Sequence, residues 1–313
     1  MVTNDLHTDQ AGRRIILYGS ILSKPSILTL ERAPFSSSTS YLSSLPSSLS
    51  SIKNLGVNDI YFWYLGLSNP NSSSGFSEAH EDLKINLIYP CTEQHIKKYS
   101  KQGMRTVIET PEIYKEKIHP YMLRKREQGR LNWVWNIIDG KTEVEDVIYR
   151  TPRGRDGDKG FLLLPDLNWD RKTLEGLHLL GLVERADIWS LRDLRKRHVG
   201  WLKDMRSKLL LATVQTYPQL EEDQLKLYVH YQPTYYHFHI HIVHVALDAG
   251  ATQASGKAIG LDGIIVQLET MIGDADTGME CIALTYTVGE ASELWTDIFE
   301  PLKDNYRASR SRQ

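Results

Sequence analysis

The stretch His230-Tyr231-Gln232-Pro233-Thr234-Tyr235-Tyr236-His237-Phe238-His239-Ile240-His241-Ile242-Val243-His244 holds five of the chain's eleven histidines. From Tyr228 through Leu247 there is no Asp, Glu, Lys or Arg. Side chains alternate in character over residues 235–247, which predicts a β-strand, because successive side chains of a strand point to opposite faces. His237, His239 and His241 then share one face, while Tyr236, Phe238, Ile240 and Ile242 share the other. A polar strand turned to solvent explains one histidine. Three at i, i+2 and i+4, with no carboxylate in the run, ask for chemistry.

Two chemistries suit such a face. Neutral imidazole is the commonest metal ligand. The same rings can also serve as nucleophile, orienter and acid in displacement at phosphorus. His244 has the opposite parity, lies beyond the three and is read as structural.

The flanking sequence supplies a scaffold. Gln224 to His230 is read as a strand that Pro233 separates from the histidine strand, giving an antiparallel pair. Ser190-Leu191-Arg192-Asp193 is close to a capping box with Asp in place of Glu. Beyond it Val199, Leu202, Met205 and Leu209 recur at helical spacing, predicting a helix beneath the sheet with its Lys and Arg residues in solvent. Ala249 to Gly260 is a small-residue loop, Leu261–Met271 a helix, Glu280–Thr287 a strand and Ala291–Leu302 a closing helix.

Earlier in the chain, Arg13–Ser20 and Ser26–Arg32 read as two antiparallel strands. Residues 36–51, rich in serine, read as a flexible surface loop. Asn58 to Leu65 is a dense aromatic strand, either sheet core or a stacking wall for a base. Ser68–Glu81 is a loop and Leu83–Tyr89 a strand. Thr92 caps a helix that Gly103 is expected to stop. Met104 to Thr110 is extended, and Pro111 opens a helix. Residues 130–140 form a helix ending at Gly140, with Trp135 in the core. Val144–Arg150 resumes as a strand, and Phe161–Leu164 is another.

At 313 residues the chain is long enough for about two domains. A formal charge of −2 gives no global attraction to nucleic acid, so an anionic ligand must be met by a local cluster and DNA is not an expected partner. Cys91 and Cys281 make neither a disulfide framework nor a metal motif. No apolar run approaches a membrane span, and the polar start is not a signal peptide. A cytoplasmic and nuclear location is the expectation. Arg307–Gln313 reads as a frayed basic tail.

His237-Phe238-His239-Ile240-His241-Ile242-Val243 resembles the pattern His-apolar-His-apolar-His-apolar-apolar of the histidine-triad (HIT) nucleotide hydrolases and transferases. With the upstream arm from Val229 to His237, and the block Asn132-Trp133-Val134-Trp135-Asn136 through Glu143, the chain resembles the scavenger mRNA decapping enzymes. These hydrolyse the 7-methylguanosine cap left on short RNA fragments. The resemblance runs from about Asp59 to Leu294.

It implies an α+β fold: a HIT-like carboxy-terminal domain, 113–313, with an antiparallel sheet and packed helices, and a smaller α+β amino-terminal domain, 1–103. A hinge at 104–112 would exchange the smaller domain between protomers of a homodimer. Trp133 would stack on the methylated guanine, whose positive charge strengthens attraction to an aromatic face. Glu143 would read the base edge through charge-assisted hydrogen bonds, and Pro165, Asp166 and Leu167 would complete the cap pocket, with Tyr61 a possible wall. Lys98, Thr234, Tyr236 and Lys257 would meet the phosphates.

His239 would attack the phosphorus nearest 7-methylguanosine, oriented by His237, while His230 and His241 donate to phosphate oxygens. The substrate would be capped short RNA or the cap dinucleotide, with no metal or other cofactor. Two positions depart from the family pattern: Asn168 replaces an expected Lys, and His178 an expected Tyr. They motivate one alternative, a catalytically weak cap-binding or regulatory paralogue. A HIT hydrolase of dinucleoside polyphosphates is another, which would not predict Trp133, Glu143, Asp166 and Leu167 together.

Overall fold

The computed structural model describes residues 2–9, 14–32, 36–58, 61–68, 83–88, 91–129, 131–141, 144–152, 160–166, 169, 171, 173–247 and 250–304. The side chains of 2–4, 7–9, 32, 49–58, 61–68, 83–88, 94, 95 and 98 lie outside this description. The chain divides into two compact units, Met1–Lys101 and Gln102–Gln313.

The smaller unit contains β1 (Val2–Asp9), β2 (Arg14–Ile21), β3 (Lys24–Arg32), α1 (Thr39–Ser48), β4 (Leu49–Asn58), β5 (Tyr61–Ser68), β6 (Leu83–Ile88) and α2 (Glu93–Tyr99). Strands β1, β2, β3 and β6 form one antiparallel sheet in that order, and β4 and β5 a separate hairpin. β2 turns into β3 through Leu22 and Ser23, both at positive φ, as a tight hairpin with the twist of its strands requires. Ile16, Ile27 and Cys91 make its core.

The serine-rich segment is not a loop throughout. Ser38 Oγ accepts from the Tyr41 backbone N at 3.2 Å, and the Ser44 and Ser48 hydroxyls each donate to the carbonyl three residues earlier, at 2.8 Å. Serines thus support α1 at its start and along its length, although α1 buries no residue. The expected aromatic strand is β5, with its side chains outside the description, and 69–81 of the expected loop lies outside it as well. α2 ends at Tyr99, short of Gly103, where the absent Cβ leaves room for the Glu290 carboxylate.

The larger unit contains β7 (Met104–Glu109), α3 (Pro111–Ile113), α4 (His119–Glu127), α5 (Asn132–Ile138), β8 (Tyr149–Arg150), β9 (Phe161–Pro165) and β10 (His178–Val183). These are followed by α6 (Val199–Thr216), β11 (Leu225–His230), β12 (His239–His244), β13 (Ala258–Gly260), α7 (Leu261–Thr270) and β14 (Leu284–Gly289). A six-stranded antiparallel sheet runs β13-β11-β12-β10-β9-β8. β9 reads Phe-Leu-Leu-Leu because both of its faces are covered. Phe161 and Leu163 enter the main core with α6 and α7, while Leu162 and Leu164 pack with Leu131, Val134, Ile137 and Ile138 on the α5 side. Gly181 has no Cβ because the Leu209 side chain of α6 would lie 2.8 Å from it.

Three expectations from the sequence are corrected here. Of residues 235–247 only 239–244 are strand; at 235–238 the backbone leaves the ladder, Phe238 N donating to Ile188 O at 3.1 Å. Of 144–150 only Tyr149 and Arg150 pair, after a single turn of 3₁₀ helix. The helix ending at Gly140, with φ +70°, forms as expected, but Trp135 is only partly buried.

Residues 104–112 lie in the larger unit, where β7 pairs with β14 along its whole length. Glu109, at the end of β7, is fully buried against Arg192, with Nη2 to Oε1 at 2.6 Å. It also accepts from the hydroxyls of Tyr231 and Tyr286 at 2.6 Å and from Gln232 Nε2 at 3.1 Å. Arg192 completes its contacts on the carbonyls of Met279 and Ile282. This cluster ties β7 and β14 to the arm that precedes the triad strand.

Candidate active site

Register places the three histidines' neighbours. His239 stands opposite Leu182 and His241 opposite Leu180 of β10, while Tyr228 of β11 faces His241 from the other side. His178, opposite Val243, is the diagonal neighbour of His241 on the same face. All of β12 is buried.

A carbonyl can only accept, so two ring tautomers follow from geometry. His239 Nδ1 lies 2.7 Å from the His237 carbonyl and must carry the proton, which leaves its Nε2 with a free lone pair. His237 Nε2 donates to the Val183 carbonyl at 2.7 Å, leaving a buried Nδ1 with no partner among the described residues. Burial holds His239 at about 3 and His237 at about 4, so both are neutral at neutral pH. His241, also pushed down by burial, keeps Nε2 without a partner among the described residues.

His230 departs from its expected role. Its Nε2 donates to the Thr252 carbonyl at 2.8 Å, and burial lowers it to about 4. A neutral ring with that proton committed has no N–H left for a phosphate. It packs instead on His241, ring centres 4.3 Å apart.

Tyr236 is likewise corrected: it is buried, its hydroxyl donates to Gln232 Oε1 at 3.1 Å, and its ring meets Tyr121 edge-on. Tyr235 is the tyrosine that lies against the triad. Its ring stacks on His239 at 4.3 Å and 18°, and Trp133 meets it edge to face at 4.8 Å. Its buried hydroxyl has no partner among the described residues. Strand parity contains the signal, since 235 shares its face with 237, 239 and 241.

Trp133 is 43% exposed and so is not a core residue. Trp135 meets His237 edge-on at 5.0 Å. Pro165 ends β9, and Asp166 follows it, its N donating to the His178 carbonyl at 2.9 Å. Thr234 is exposed on the arm. Lys257 donates through Nζ to the Gln232 carbonyl at 2.6 Å, and its charge lowers His230, His239 and His241. Glu143, Leu167 and Asn168, and the side chains of Lys98 and Tyr61, lie outside the described residues. Arg126, which the sequence reading did not single out, donates to the Tyr236 carbonyl and lies over Trp189 at 4.3 Å.

Among the described residues Asp166, His178 and His241 offer ligand atoms within 4.8 Å of one another. His178 Nε2 and His241 Nδ1 are 3.0 Å apart. Two nitrogens held 2.0–2.1 Å from a tetrahedral ion would stand roughly 3.3 Å apart. The observed contact is that of a hydrogen bond, and the metal reading is the weaker one.

Residues 2–102 match the family model described as scavenger mRNA decapping enzyme (DcpS) N-terminal, and residues 132–256 the one described as scavenger mRNA decapping enzyme C-term binding. The chain belongs to the scavenger mRNA decapping enzyme family. An m7GpppX diphosphatase of Schizosaccharomyces pombe is 36% identical over 297 residues, covering 95% of this chain and 92% of the relative. One from Ascaris suum is 41% identical over 220 residues, 70% and 68% of the two chains. A third, from Mus musculus, is 32% identical over 231 residues, 74% and 64%. Within this decapping family the triad, its arm and Trp133 sit in the segment matched by the carboxy-terminal model.

Proposed function

We propose that this protein hydrolyses the 7-methylguanosine cap of short capped RNA or cap dinucleotide. In this scheme the His239 Nε2 lone pair forms a bond to the phosphorus nearest 7-methylguanosine. The bond to the bridging oxygen breaks, and the nucleoside diphosphate or short oligonucleotide diphosphate leaves with the electron pair. Water then cleaves the phosphorus–nitrogen bond to release 7-methyl-GMP, and the imidazole recovers its lone pair.

The observation that carries this reading is the His239 ring itself: neutral, with Nδ1–H fixed on the His237 carbonyl and Nε2 left free. His237 thus orients the nucleophile through its backbone. His241 is the N–H donor for phosphate oxygens where charge develops, and Tyr235 joins the nucleophile to the Trp133 cap platform. Asp166, Pro165, Leu167 and Glu143 belong to the base and sugar, and Lys98, Thr234 and Lys257 to the phosphates. We also propose a homodimer that exchanges residues 1–103 across 104–112, and a place in cytoplasm and nucleus.

The test is product analysis of cap dinucleotide labelled in the phosphate next to 7-methylguanosine. Wild type should release labelled 7-methyl-GMP, and His239→Asn should lose activity by at least about 10³-fold, as removal of a covalent nucleophile does. Cap binding without product from wild type would instead make the protein a cap-binding regulator.

A further inference from the structure

His237 and His239 each have one ring nitrogen settled by a backbone carbonyl, whereas His241 sits mid-strand where the carbonyls serve the ladder. Its Nδ1 meets a side chain instead, His178 Nε2, at 3.0 Å. One of these two atoms must hold the proton. The Asp166 carboxylate lies 3.7 Å from the same His178 Nε2. A carboxylate accepts and does not donate, and its charge favours a proton on the facing nitrogen over a lone pair. The proton therefore sits on His178, His241 Nδ1 accepts it, and the remaining proton of neutral His241 falls on Nε2.

Among the described residues that atom, like His237 Nδ1, is a buried ring nitrogen with no protein partner. The ring plane is held by Tyr228, stacked at 4.9 Å and 8°, so the N–H direction is fixed as well as its identity. We propose that His178 is a positioning residue for the reaction, donating through Nε2–H to His241 Nδ1 and thereby reserving the His241 Nε2 proton for the phosphate oxygens. This rests on the cap-hydrolysis reading for its consequence, though not for the tautomer. Burial lowers both rings, so both are neutral and the donor order is not scrambled by a second proton.

The same geometry explains why the departure at 178 is compatible with an intact triad. His241 requires a donor aimed at Nδ1, and a histidine beside Asp166 is one. In the opposite tautomer His241 Nε2 would present a lone pair to an anionic substrate, and the contact would be repulsive.

Two measurements decide the proposal. In protein labelled with ¹⁵N-histidine, long-range proton–nitrogen correlations at neutral pH should show His241 protonated at Nε2 and bare at Nδ1; the reverse pattern overturns the inference whatever the enzyme does. In steady-state hydrolysis of cap dinucleotide, His178→Met should lower kcat on the order of 10–100-fold, as loss of a group that fixes a catalytic histidine does, with KM changed less than about threefold. His178→Gln places an amide N–H at a similar reach beside Asp166 and should recover most of kcat. Equal kcat for the Met and Gln variants, or wild-type kcat in both, would count against a hydrogen-bonding role. Failure of wild type to cleave the dinucleotide would remove the functional reading and leave the nitrogen pattern to judge the tautomer alone.

Discussion

Two adjacent tyrosines separate what the sequence could tell from what it could not. Alternation places residue 235 on the histidine face and 236 on the apolar one. The structure keeps that division although 235–238 is not ladder: Tyr235 stacks on His239 and Tyr236 bonds Gln232 in the core. Motif resemblance gives Tyr236 to the phosphates, whereas strand parity puts it on the apolar face. Tyr235→Ala should therefore lower kcat/KM by about 10–100-fold, losing an aromatic contact to both nucleophile and platform worth roughly 0.5–1.5 kcal/mol each beyond area, together with the ring's packing. Tyr236→Phe should leave kcat/KM within about threefold and lower stability by about 1 kcal/mol for its hydrogen bond. Steady-state assays and urea unfolding on both variants check this, and equal catalytic losses would restore Tyr236 to the site. The donor role given to His230 was illegible for a different reason, since nothing local to the arm reveals that the Thr252 carbonyl occupies its Nε2.

At the scale of elements, the sequence revealed which strands and helices exist better than where they stop. The α6 helix, the β11–β12 pair and the Gly140 terminus follow from periodicity, spacing and a glycine at positive φ. The boundaries at 239 and 149 depend on pairing with distant strands, and α1 on a series of serine side-chain bonds that composition alone reads as a loop. The Glu109–Arg192 cluster joins residues 83 apart, a pairing that no local pattern announces. Replacing Glu109 by Gln leaves the buried guanidinium without a counter-charge, which should cost about 3–5 kcal/mol. Urea unfolding should show that loss, and Glu109→Gln/Arg192→Met should recover part of it. A loss below about 1 kcal/mol in the single variant would mean that the pair does not hold β7 to the arm.

For the molecule as a whole, the buried histidines make folding dependent on protons. An unfolded chain binds protons at its histidines as pH falls through about 6.5. In the folded protein burial holds His230 and His237 near 4 and His239 near 3, and keeps His178 and His241 low as well. Between about pH 6.5 and 4 the unfolded state therefore carries more protons than the folded state, so unfolding free energy rises with pH and stability is lost on acidification. Each such histidine contributes a slope of up to about 1.4 kcal/mol per pH unit until the folded form begins to titrate. Asp193, pushed up by burial, acts in the opposite sense, but in the carboxylate range. Urea midpoints at pH 7.5, 6.5 and 5.5 should fall progressively, most between the last two, and His241→Gln should flatten the slope by about one proton. A midpoint unchanged across that interval would mean that these rings take up protons without unfolding. In that case the folded rings titrate at about 6.5 like free imidazole, and His239 is a neutral nucleophile only above that pH.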